Sequence, residues 1–397
     1  MGVRRRALPT DELQNPVPGP VPTADTTTGL LMKPMPDLIF DGHNDMLLRL
    51  LQKHVQDPAA AFLGGRDEGH LDLPRMRQGG FAGGLFAIFV PSPTPGRSRN
   101  TTPQCSAYDE PLPPIMSQAD ALPSVLSMIA IMQRLEQAAG GALRICRSTS
   151  DIRAAMADNA IAAVLHFEGA EAIDIDLHAL DVFQAAGLRS IGPVWSRPTA
   201  FGHGVPFRYP ASPDTGPGLT QHGRRLVQGC NSRRIAIDLS HLNARGFWDV
   251  AQLSNAPLIA SHSNAHAICP HSRNLTDDQM RAIRDSGGLA GLNLAVCFLR
   301  PDGRDIAHTG VDIMLAHLDH MLDIMGADHV AIGSDFDGAL IPDAIGDVAG
   351  LPVLQQAMRS HGYDDALMGR ICHDNWLRVL DQTWGDDISQ DISDSCH

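Results

Sequence analysis

The stretch Ile161-Ala162-Ala163-Val164-Leu165-His166-Phe167-Glu168 is a short apolar run that closes on a histidine and a carboxylate. A run this brief, apolar at both even and odd positions, reads as a strand buried on both faces, as in a parallel sheet. Similar runs recur at Leu38–Asp45, Gly84–Val90, Leu188–Trp195, Arg234–His241, Pro257–Ser263, Gly288–Ala295 and His329–Asp335, making eight in all. Helical periodicity lies between most of them, at Leu122–Gln137, Thr220–Cys230, Asp277–Asp285 and Val311–Met325. Eight strand-then-helix units predict a (β/α)8 TIM-type barrel. A dinucleotide-binding open sheet fits less well, because no G-x-G-x-x-G follows the first strand. The 397 residues exceed a minimal barrel. The Pro/Gly/Ser-rich segments 91–118 and 197–218 are therefore expected as long loops over the active face. Residues 1–36 read as a loose arm, 37–385 as the barrel and 386–397 as an acidic tail.

Five of the runs end in groups that bind metals. They are Asp41-Gly42-His43-Asn44-Asp45, His166-Phe167-Glu168-Gly169, Asp238-Leu239-Ser240-His241, Ser261-His262-Ser263 and Gly333-Ser334-Asp335-Phe336-Asp337-Gly338. Any one of these arises readily by chance. Five at the same end of successive strands fall where barrel enzymes assemble their sites. His43 and Asp45, two apart, face one side of a strand and can grip one ion with one oxygen of Glu168. The other oxygen of Glu168, with His241 and His262, suits a second. A bridging carboxylate sets two ions about 3.5–4 Å apart, and a water between them becomes a hydroxide nucleophile near neutral pH. Imidazole and carboxylate without thiolate favour zinc, with Mn2+ or Co2+ as alternatives. The expectation is a metal-dependent hydrolase with two Zn2+ per chain.

The charge balance excludes another class. With 31 Lys+Arg against 45 Asp+Glu the net charge is −14, the wrong sign for a nucleic-acid binder. The seven cysteines contain no C-x-x-C pair and read as free thiols of a reducing compartment. Arg4–Arg6 precede no apolar signal core, and no run is long enough to span a bilayer. A cytoplasmic protein without a membrane partner is expected.

Taken together, D-G-H-N-D, F-E-G, D-L-S-H, S-H-S-N-A, R-N-L-T-D-D and G-S-D-F-D-G resemble the membrane dipeptidase (renal dipeptidase) family of zinc peptidases, over about residues 37–380. The resemblance implies a binuclear zinc barrel with ligands His43, Asp45, Glu168, His241 and His262, and hydrolysis of small dipeptides, with C-terminal D-residues tolerated. It implies that Arg273 binds the substrate's carboxylate, a task suited to a guanidinium fork; a surface ion pair is the competing reading. It implies that Asp335 stands near the substrate amine and shuttles the proton. Asp337 is expected to be structural. Relatives also suggest a homodimer.

One departure stands out. Many members carry a histidine at the end of strand 4, where this chain has Trp195. His203, flanked by Gly202 and Gly204, is expected to supply the missing donor, with Trp195 lining the substrate site. After strand 7 the chain reads Asn293-Leu294-Ala295-Val296, without the aromatic of some relatives, which leaves side-chain specificity open. His166 is expected to orient the bridging carboxylate, and His317 and His320 to lie on a solvated helix face. Two other functions compete: an amidohydrolase for N-acyl amino acids, lactams or lactones, and a metal-binding barrel without catalysis.

Overall fold

The computed structural model describes residues 38–54, 56–65, 68–92 and 107–385, all within one compact unit, Lys33–His397. The expected arm at 1–36 and tail at 386–397 lie outside the described residues.

Among the described residues, eight parallel strands follow one another around a ring. They are β1 (Ile39–Asn44), β2 (Phe81–Phe89), β3 (Ile161–Glu168), β4 (Leu188–Ile191), β5 (Ala236–Ile237), β6 (Ile259–Ala260), β7 (Leu289–Leu292) and β8 (Val330–Ile332). Ladders join β1 to β5 in order, and β6 to β8. Single parallel bridges close the two remaining seams, Asp238 to Ile259 and Asn44 to Phe336. The protein is thus a (β/α)8 barrel, and each of the eight apolar runs falls on one strand, although β2 starts at Phe81, before its run at Gly84.

Strand β3 shows why the pattern works. Every residue from Ile161 to Glu168 is buried. Ala163, Leu165 and Phe167 pack in the large outer core, whereas Ala162 and Val164 belong to a smaller cluster with Phe40, Leu85, Ala236, Ile259, Leu289 and Trp376. His166 and Glu168 continue the period of Ala162 and Val164, so the apolar floor gives way to polar groups along a single strand face. Trp376, from helix Asn375–Trp384, seals this floor by donating its indole N–H to the Ile332 carbonyl.

Just above the floor, strand ends converge on the Ser261 carbonyl. A Cβ on Gly42, Gly291 or Gly333 would collide with it. This explains Gly42 of D-G-H-N-D and Gly333, the first glycine of G-S-D-F-D-G, as a matter of close approach.

The long loops meet over the same end of the barrel. Tyr108–Asp109 pairs antiparallel with Arg208–Tyr209. Residues 93–106 of the first loop lie outside the described residues. No disulfide joins the five described cysteines to one another. No described helix is long and apolar enough to cross a membrane.

Candidate metal centre

Glu168 ends β3 with its two oxygens facing different imidazoles. Oε1 lies 3.0 Å from His241 Nε2 and 3.7 Å from His262 Nε2, while Oε2 lies 3.5 Å from His43 Nε2. Asp45 Oδ2 is 3.4 Å from the same His43 nitrogen. The His43 and His262 rings stack at 3.8 Å, and the Nε2 atoms of His241 and His262 are 3.2 Å apart. The five residues singled out as ligands therefore meet in one buried cluster. Asp335 joins them from the end of β8. One ligand atom each from His43, Asp45 and Asp335 lie within 4.8 Å of one another, as do atoms of His43, Glu168 and His262.

The backbone bends to make this possible. His241, Asp335 and Asp337 have φ of 67°, 61° and 66°. This left-handed conformation costs a non-glycine residue on the order of 1–3 kcal/mol, a strain typical of functional sites. Asp335 is held by Asn293 Nδ2, which donates to its Oδ2 at 3.0 Å.

Hydrogen bonds behind the cluster set the histidine tautomers. The Ser261 hydroxyl donates to Asp238 Oδ2 at 2.5 Å, so its oxygen must accept from His262 Nδ1 at 2.7 Å. That leaves the His262 Nε2 lone pair facing the centre, as metal ligation requires. His241 Nδ1 pairs with Ser196 Oγ at 2.8 Å. Burial works against charge on Asp238, but His166 and the Ser261 and Ser240 donors hold its pKa below the ordinary value.

Electrostatics mark the centre as a cation site. Burial lifts the Glu168 pKa to about 7. Burial also opposes charge on His43, yet the Glu168 and Asp45 carboxylates outweigh it and hold its pKa well above normal. Burial, then the charges of His43 and Arg273, push His262 well below normal. Both His43 nitrogens and Asp45 Oδ1 are buried and lack a hydrogen-bond partner among the described residues. Orphaned buried acceptors of this kind are costly unless something fills their demand. A divalent cation fits this donor set.

Arg273 lies beside the cluster and is buried. It donates from Nη1 to Ser263 Oγ at 2.7 Å and from Nη2 to the His262 carbonyl at 2.9 Å. Its Nε has no partner, and no described carboxylate lies within ion-pair reach. The reading as a surface ion pair is thereby corrected. Asn274 next to it donates to the Cys269 and Phe298 carbonyls, and a Thr276–Gln279 capping box starts the following helix. Such a cap is worth about 1 kcal/mol and fixes the loop that carries Arg273.

Trp195 reaches the site, its ring 5.8 Å from that of His241. His203 does not. Its Nδ1 faces the Gly218 carbonyl at 3.3 Å, and among the described residues it makes no hydrogen bond, ion pair or ring contact with the cluster. His203→Ala is expected to keep kcat within about threefold, measured on a dipeptide substrate; a loss above about tenfold would restore the donor role.

His166 sits under the cluster, with its ring 5.6 Å from that of His43 and Nδ1 3.0 Å from Ser190 Oγ. Its Nε2 lies 3.5 Å from Asp238, so it faces the hydrogen-bonded layer behind His262 instead of the bridge itself. Burial lowers its pKa to about 4 and keeps it neutral. The solvated-face reading of His317 is corrected. It is buried, accepts at Nδ1 from the Ala265 N–H and donates from Nε2 to the Leu299 carbonyl. His320 is half-buried and pairs with Asp277 at 2.8 Å. Asp337 is structural, receiving Arg49 Nε at 2.8 Å and the His70 N–H at 2.6 Å.

The motifs did not point to Ser196, Asn293, Phe207 or Phe298. The first two act through hydrogen bonds to ligands or to Asp335, and the last two form an aromatic tract beside Arg273. Only their position shortly after a strand end hinted at this.

Comparison with known proteins agrees with the geometry. The sequence profile of the membrane dipeptidase family (peptidase family M19) matches residues 30–391. A solved structure of dipeptidase AC, a metallopeptidase of family M19, is 54% identical, with a TM-score of 0.83, covering 88% of this chain and 99% of its own. A metallopeptidase from Rhodobacter sphaeroides, solved with a phosphinate mimic of the dipeptide L-Ala-D-Ala, is also 54% identical, with a TM-score of 0.85, covering 87% and 99%. An uncharacterised protein from the pqqA 5′ region of Klebsiella pneumoniae is 48% identical over 265 residues, 67% of this chain and 98% of its own length. The chain belongs to the membrane dipeptidase family, peptidase family M19, and is a metal-dependent dipeptidase.

Proposed function

We propose that this dipeptidase holds two zinc ions through His43, Asp45, Glu168, His241 and His262, and cleaves dipeptides with a free carboxylate, including those with a C-terminal D-residue. When bound, the ions polarise the scissile carbonyl and lower the pKa of a water. The remaining work falls to the chain. Asp335, beside Asp45 and oriented by Asn293, takes a proton and passes it to the leaving amine. Arg273 binds the substrate carboxylate. Ser196 and Ser261 keep the His241 and His262 rings aimed at the centre. Zinc is favoured by the imidazole-carboxylate donors, and the D-residue by the ligand of the R. sphaeroides relative. A cytoplasmic location fits five described cysteines with no disulfide among them, and the homodimer rests on the family resemblance.

The observation that carries this reading is the buried Arg273 guanidinium with no carboxylate of its own and a free Nε. The charges of Asp238, Asp335 and Glu168 only partly offset its burial, which pulls its pKa down to about 10; a carboxylate in direct contact removes more of that cost. Removing one partner of such a pair costs about 2–5 kcal/mol. Arg273→Ala is therefore expected to lower kcat/KM by about 30- to 5,000-fold, mainly through KM. Arg273→Lys should recover only part of the loss, because an ammonium cannot form the fork. The wild-type protein should discriminate against dipeptide amides, and the alanine variant should not. Equal discrimination in both would sink the assignment. A parallel panel of free and N-acylated dipeptides separates the dipeptidase from an amidohydrolase for N-acyl amino acids.

A further inference from the structure

An aromatic tract connects the metal cluster to Arg273. Trp195 and Phe207 meet edge-on at 5.6 Å, and each lies near the His241 ring, at 5.8 and 6.3 Å. Phe207 stacks on Phe298 at 5.9 Å with planes 28° apart. The Arg273 guanidinium carbon sits 5.8 Å from the centre of the Phe298 ring. Trp195 and Phe207 are half-buried, and so keep part of their surface exposed.

The tract is held from behind. The Arg197 guanidinium packs 5.7 Å from Trp195 and is locked by Glu171, the Val90 carbonyl and Ser92. Asn274 holds the Phe298 carbonyl. Rings fixed in this way form a wall and not a mobile patch.

Among the described residues, Arg273 and Arg197 are the guanidinium groups that lie against these rings, and Arg197 is neutralised by its ion pair with Glu171 at 2.7 Å. His271, 4.7 Å from Phe298, is neutral because burial pulls its pKa down to about 3. Arg208, next to Phe207, is ion-paired with Asp109 at 2.8 Å. In a dipeptide the C-terminal side chain leaves the same carbon as the carboxylate. With that carboxylate on Arg273, the side chain meets the Phe298 and Phe207 rings.

We infer that Trp195, Phe207 and Phe298 form the recess for the side chain of the dipeptide's C-terminal residue, and that the enzyme selects dipeptides with an apolar residue there. The inference rests on the proposed role of Arg273. Each methylene buried against the rings is worth about a fourfold gain in kcat/KM. An anionic side chain meets aromatic faces where, among the described residues, the other nearby guanidiniums, Arg197 and Arg208, are already ion-paired, and it loses about a hundredfold.

The test is kcat/KM of the zinc-loaded full chain on Ala-Gly, Ala-Ala, Ala-2-aminobutyrate, Ala-norvaline and Ala-Asp, with both configurations of the second residue. A rise of about fourfold per methylene and a fall of about a hundredfold at Asp supports the recess. Ala-Asp cleaved as well as Ala-Ala, or a flat series, overturns it while leaving the dipeptidase reading intact. If no dipeptide in the panel is cleaved, the dipeptidase reading itself fails and the inference with it. Phe298→Ala should flatten the methylene trend; Phe207→Leu, which keeps an apolar side chain, should weaken it if the first variant does not fold. Calorimetry gives a readout without turnover. A phosphinate dipeptide mimic with a C-terminal methyl side chain should bind about a hundredfold tighter than one with a carboxymethyl side chain, and equal affinities overturn the recess.

Discussion

Asp335→Asn is expected to lower kcat by about 10²- to 10⁴-fold with little change in KM, the range lost when a positioned general acid-base group is removed. The substitution is nearly isosteric. The amide oxygen can still accept from Asn293 Nδ2, so the loop after β8 should keep its conformation and the melting temperature should hold. Only the capacity to take and return a proton disappears. Steady-state kinetics on a small dipeptide, with a thermal scan alongside, checks this. A rise in KM with kcat preserved would instead make Asp335 an anchor for the substrate amine.

Removing the metal should have the largest effect of all. Loss of carbonyl polarisation and water activation removes several kcal/mol of transition-state stabilisation, so chelated protein should be slower by about a thousandfold or more. The structure adds a pH dependence. The Glu168 carboxyl, ordinarily near 4.5, is raised to about 7 by burial. Between those values the folded metal-free chain keeps a proton that the unfolded chain has released. The stability this contributes is fully present below about pH 4.5 and is lost as the pH rises through about 7. A bound divalent ion replaces that proton, so the loaded chain escapes the loss. Zinc should thus raise the melting temperature by about 5–10 °C at pH 8. The gap should narrow as the pH falls towards 5, as protons compete for Glu168 and for His43, whose pKa the carboxylates hold well above normal. A gap that stays constant from pH 5 to 8 would contradict the exchange of proton for metal.

What could be read in the sequence follows from how local each signal is. Glu168 and His166 share one strand face with Ala162 and Val164, so a period-two pattern carries both the strand and the site. Asp45 follows His43 within two residues, and His262 follows Ser261 directly, so their pairing is written in short motifs. The aromatic tract is different. Trp195, Phe207 and Phe298 come from loops after β4 and β7, and only the closed ring brings them together. The missing aromatic after strand 7 leaves side-chain specificity open in the sequence, yet Phe298 stands only three residues past Ala295. His317 was misread because a polar side chain on an amphipathic helix normally faces water. Here the backbone groups of Ala265 and Leu299 satisfy both nitrogens, a pairing that no spacing along the helix reveals. His203 drew attention through its glycine neighbours, and its contact with the Gly218 carbonyl is one that those neighbours do not reveal.

The three glycines around the Ser261 carbonyl bear on how this enzyme can change. Ser261 precedes His262, so any side chain added to that collar would wedge strand ends apart and displace an imidazole of the cluster. The span between the clustered imidazoles and carboxylates is therefore set where the strand ends crowd the Ser261 carbonyl, and not by those side chains alone. New substrates must be accommodated from above, by replacing rings on the loops after β4 and β7. The lower half of the molecule acts as a fixed gauge against which only the rim can be recut.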